Sequence, residues 1–138
     1  PGAAPGPLAR IASGGELARF MLALKVVLAR VDPVSTLVFD EVDAGIGGAV
    51  ADAVGERLAR LADEVQVLVV THSPQVAARG NHHWRISKWV VDAAARTHIE
   101  VLDEAGRTEE LARMLAGARV TDEARRAARS LLGGSSAC

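Results

Sequence analysis

The 138-residue sequence has one cysteine, no tyrosine, two lysines and four aromatic residues in all. Cys138 stands at the terminus, so no disulfide can form within the chain, which fits a reducing compartment. With Phe20, Phe39, Trp84 and Trp89 as the only aromatics and 49% of residues apolar, the core has to be aliphatic. No apolar run approaches the roughly 20 residues needed to span a bilayer. An excess of one charge is missing too: 16 basic against 17 acidic residues give a net charge of −1. That balance argues against a surface that is one large nucleic-acid patch, though it leaves room for a local basic site. Lys25 is followed by Val26 and Lys88 by Trp89, so the Gly-x-x-x-x-Gly-Lys-[Ser/Thr] loop that cradles nucleotide phosphates is absent. There is no initiating Met and no signal pattern. The sequence reads as a cytosolic C-terminal fragment of a longer protein, of one domain's length.

What is present is organised as α/β. Pro1–Pro7 holds only Pro, Gly and Ala, and a linker is expected through residue 12. Leu17, Phe20, Met21, Leu24, Leu28 and Val31 recur at helical steps, and Asp32-Pro33 stops that helix. Thr36–Phe39 reads as a strand. After the glycines at 45, 47 and 48, a second helix shows Val50, Val54, Leu58 and Leu61 on one face. Val65–Thr71 is the next strand, and Ser73-Pro74 caps a following helix. Strand, helix, strand with near-continuous apolar strands implies a mostly parallel sheet covered on both faces. Trp84–Val91 and Thr97–Leu102 read as an antiparallel pair joined through Asp92–Arg96. Short helices are expected near Glu109–Leu115 and Asp122–Leu132, with a disordered tail over 133–138.

Three segments carry chemistry. Ser13-Gly14-Gly15-Glu16 fits a capping box, but two glycines cost about 1 kcal/mol each in helix propensity. What the glycines supply is bare N–H groups at the positive end of a helix, where an anion binds. Asp40-Glu41 closes an apolar strand. A loop that is merely polar would look similar, yet adjacent acids there suit metal–nucleotide chemistry. Asp holds Mg²⁺ through its waters, and Glu orients an attacking water or takes its proton. His72 ends a second apolar strand on the same sheet edge, where it can hydrogen-bond a terminal phosphate. His82 and His83, adjacent on a strand, would point to opposite faces and could not easily share an ion. Arg125, Arg126 and Arg129 read as a solvated helix face.

Ile11–Leu17 resembles the signature motif of ABC-type ATPases, Leu37–Glu41 their Walker B segment, and Val70–His72 their switch histidine. More narrowly, Phe39–Gly48, Thr71–Ala77 and Glu110–Gly117 resemble the RecN family, SMC-like ATPases of bacterial DNA repair. The resemblance implies that residues 13–132 form the C-terminal lobe of an ATPase head that binds ATP and Mg²⁺. The N-terminal lobe of the same protein would bring the phosphate loop. Asp40 would assist Mg²⁺ binding, Glu41 would be the catalytic base, and His72 would sense the γ-phosphate. Ser13, Gly14, Gly15 and Glu16 would meet ATP held by an opposite head, so that ATP clamps a homodimer. Asp43–Gly48 would be the D-loop at that interface, with Gly47 where many members carry Asp; Ala12 replaces the usual Leu. The implied activity is ATP hydrolysis by the full-length protein in repair of double-strand breaks, at DNA in the bacterial cytoplasm and without a membrane. A transporter's nucleotide-binding subunit, another SMC-like head and a non-catalytic module of the same shape are the rival readings.

Overall fold

The computed structural model describes residues 20, 22–24, 34–40, 42–91, 94–117 and 119–134. The linker over 1–12, Ser13–Glu16, the Asp32-Pro33 stop, Glu41 and residues 135–138 of the tail lie outside them. The chain divides into two compact units, Pro1–Val76 and Ala77–Cys138.

In the first unit, β1 (Thr36–Asp40) and β2 (Gln66–Val70) pair in parallel, in register from Thr36↔Gln66 to Asp40↔Val70. Helix α1 (Gly48–Ala62) lies between them in sequence, the crossover that parallel pairing requires. Leu37, Phe39, Val67 and Val69 pack against a core of Leu22, Val42, Ala51, Val54, Leu58, Leu61 and Val76. The strands are expected to be buried on both faces, but Val38, Leu68 and Val70 are exposed, Val38 by 66%. Strand alternation therefore leaves one apolar face open in this chain. On α1 the inward face is Ala51, Val54, Gly55, Leu58 and Leu61. Val50 is 54% exposed, because it falls just beyond the edge of that arc. Phe20 and Leu24 of the expected stripe are likewise exposed, whereas Leu22 is buried.

Helix α2 (Pro74–Ala78) starts directly after Ser73, as a Ser-Pro start predicts. In the second unit, β3 (Trp84–Val91) and β4 (Ala94–Val101) form an antiparallel hairpin, in register from Trp84↔Val101 to Val91↔Ala94. Residues 94–96, expected in the connection, are strand: cross-strand pairing with Trp89, Val90 and Val91 overrides alanine's weak β preference. Trp84, Ile86, Val90, Ile99 and Val101 share one hairpin face and are exposed on it. His82 and His83 precede β3 instead of lying on a strand.

Helix α3 (Glu104–Ala116) begins five residues before its expected start. Asp103 supplies the cap, its Oδ1 accepting from the Gly106 N–H at 2.7 Å. Gly117, at φ +73°, ends it in a conformation that favours glycine. Helix α4 (Asp122–Gly134) packs on α3 through Leu111, Ala112, Ala124 and Ala128. Arg125 pairs with Glu109 and Asp122, and Arg126 with Glu123, the solvated arrangement expected of that face. No described helix is long and apolar enough to cross a membrane.

Candidate functional site

Because β1 and β2 are parallel, both end at the same sheet edge. Asp40 closes β1 with an exposed side chain. The chain then turns inward, burying Val42 in the core and Asp43 completely, at 0% exposure. The Ile46 N–H bonds the Asp43 carbonyl at 3.2 Å, and Gly45 at φ +70° lets this turn close. β2 ends at Val70 and hands over to Thr71, His72 and Ser73.

The two loops are tied together by one carboxylate. Asp43 Oδ2 accepts from the Thr71 hydroxyl at 2.5 Å and from the Ser73 N–H at 3.0 Å. The Ser73 N–H also reaches Thr71 Oγ1 at 2.9 Å, closing a three-membered network. Burying a carboxylate is costly unless such donors replace its water. The other oxygen, Oδ1, is buried and has no hydrogen-bond partner among the described residues. Between the two donor residues sits His72, with its side chain 75% exposed and its Nδ1 3.8 Å from Asp43 Oδ2. That separation is too long for a hydrogen bond.

Of the expected site residues, Asp40, Asp43 and His72 therefore gather at one edge, while Ser13, Gly14, Gly15, Glu16 and Glu41 lie outside the described residues. Asp43, read as part of a D-loop, has one carboxylate oxygen engaged by the His72 loop. Thr71 is expected beside His72 at the strand end and Ser73 at a helix start, without a bond from either to Asp43. A threonine hydroxyl next to a histidine, opposite an acid just past a neighbouring strand, is the signal that could have found the Thr71 role; Ser73 contributes only its backbone N–H, which no residue type announces. Asp40 fits Mg²⁺ as a single exposed carboxylate, since that ion commonly takes one or two from protein and the rest from phosphate and water. Among the described residues no three acidic, His or Cys side chains gather into a cation cage.

The chain is 53% identical over 132 residues to the DNA repair protein RecN of Xylella fastidiosa strain Temecula1, covering 96% of this chain and 24% of that one. This stretch of sequence is RecN-like. RecN of Deinococcus radiodurans matches at 53% over 134 residues, and RecN of Haemophilus influenzae at 45% over 131. The RecN-like chain spans about a quarter of the length of the curated relatives it matches. No family model matches it. A solved structure from work on ATP-driven dimerization and DNA-stimulated activation of SMC ATPases superposes with a TM-score of 0.56 at 22% identity. The overlap covers 74% of this chain and 61% of that one, and shows a shared α/β fold.

Proposed function

We propose that the chain is the C-terminal lobe of the ATPase head of a RecN-type protein, with residues 1–12 as a linker and 13–132 as the lobe. The full-length protein would hydrolyse ATP in recombinational repair of DNA double-strand breaks, in the bacterial cytoplasm at the nucleoid. The observation that carries this reading is the common edge of β1 and β2, where Asp40 ends one strand and Thr71-His72 follows the other. Ligands of open α/β sheets bind at such carboxyl edges.

Bound MgATP supplies the phosphoryl group that passes to water. In this reading Asp40 helps hold Mg²⁺ through water, and Glu41 takes the proton of the attacking water. His72 hydrogen-bonds the terminal phosphate. Ser13, Gly14, Gly15 and Glu16 meet the nucleotide of an opposite head, so binding clamps two heads and hydrolysis frees them. The phosphate loop comes from the N-terminal lobe of the same protein. An added lobe also suits the open apolar face of Val38, Leu68 and Val70. The chain alone is therefore expected not to turn over ATP.

The test is Glu41→Gln in the full-length protein. ATP binding is expected to persist while kcat falls about 100-fold or more, the scale of a lost general base. The head dimer should then outlive that of the wild type in size-exclusion runs with ATP. Unchanged turnover would remove Glu41 from its role.

A further inference from the structure

We infer that Asp43 is the positioning residue for His72, coupling the loop that follows the β1 acids to the loop that carries the histidine. The inference rests on the reading of His72 as a ligand-facing group, and it assigns that histidine's support. The residues on both sides of His72 donate to Asp43: the Thr71 hydroxyl on one side and the Ser73 N–H on the other. Asp43 is fully buried, so its carboxylate is a fixed anchor, while His72 projects into solvent from the segment it holds. The Nδ1 atom already lies 3.8 Å from the carboxylate. A modest rotation of the exposed imidazole brings Nδ1–H into hydrogen-bonding range, which fixes the tautomer and leaves Nε2 as the nitrogen that meets a phosphate. That contact is to Oδ2, the oxygen that also holds Thr71 and Ser73. The same bonds mean that the two loops shift together, so a change around Asp40 is felt at His72.

The variants separate scaffold from charge. Asp43→Ala removes both; Asp43→Asn keeps an amide oxygen able to accept from Thr71 and Ser73 but loses the charge facing the imidazole. In the full-length protein, Asp43→Ala should lower kcat about 10–100-fold, the scale known for losing the outer partner of a metal-bound histidine. KM for ATP should move less than about 3-fold. Asp43→Asn should recover part of that loss. On a His72→Ala background, Asp43→Ala should lower kcat by less than about 2-fold further, because a residue acting through His72 has nothing left to position. An equal fold-loss on both backgrounds overturns the inference. A second readout needs no nucleotide: in hydrogen exchange the Ser73 amide should lose protection in Asp43→Ala and keep it in Asp43→Asn. Unchanged protection in Asp43→Ala also overturns it. Should Asp43→Ala fail the melting control, Thr71→Val carries the same cycle, with Thr71→Ser expected to restore activity. A wild type without turnover would defeat the ATPase reading, and the exchange arm would still decide the link between the loops.

Discussion

Asp43 and Glu110 are the two buried acids among the described residues, one in each unit, and they are satisfied in different ways. Glu110 is met by a cation: Arg113 donates to both of its oxygens, at 2.6 to 3.1 Å, and Arg85 approaches to 3.9 Å. The Arg113 guanidinium holds its carboxyl below the ordinary value, against the opposing effect of burial. Among the described residues, Asp43 has a hydroxyl and an amide on one oxygen, no partner on the other, and an imidazole close by. The first arrangement is closed and reads as structural. The second lies at the edge where strands end and carries the positioning role proposed above.

The contrast can be broken first at the level of packing. Leu58 and Leu111 are the comparable core leucines of the two units, 4% and 0% exposed. Replacing either with Ala is expected to cost about 2–5 kcal/mol in denaturant unfolding. If the units are energetically separate, the loss from Leu111→Ala should leave hydrogen-exchange protection in α1 unchanged, while Leu58→Ala should erode it. Next in size is Arg113→Ala, which leaves Glu110 buried without its main partner. We expect about 1–2 kcal/mol, below the figure for a fully buried pair because the Arg113 side chain is 57% exposed. ATP turnover by the full-length protein should not change, in contrast to Asp43→Ala.

The smallest effect is in pH. Burial lowers the His83 pKa below 6.5, and the nearby Arg107 lowers it further. The unfolded chain then binds that proton more readily, so stability is complete above 6.5 and declines as pH falls below it. Glu110, lowered from 4.5, contributes stability above that value and loses it as pH falls through its folded pKa. A thermal-unfolding series run downward from neutrality should show two successive declines. His83→Gln should flatten the first and Arg113→Ala the second.

Much of the fold was legible because its signals are local. The apolar runs of β1 and β2, the period of α1 and the Ser73-Pro74 start are each written within a few residues. The start of α3 was hidden by Gly106, which weakens the helical pattern inside its first turn, although Asp103 is a good cap. The first residues of β4 were hidden by alanines whose conformation is decided by the strand opposite. At the site, strand-end acids and a strand-end histidine were readable as types at a shared edge. The link between them was not, since Asp43 meets Thr71 across 28 positions and Ser73 across 30. A burial of that kind is set by tertiary packing, and no periodicity announces it.

Each described sheet is two strands wide. Every strand thus keeps one rim of amides and carbonyls unshared with another described strand, and each ribbon carries an oily side as well. Such ribbons accept further strands readily, from any polypeptide that offers them. Produced by itself, this chain should self-associate at high concentration.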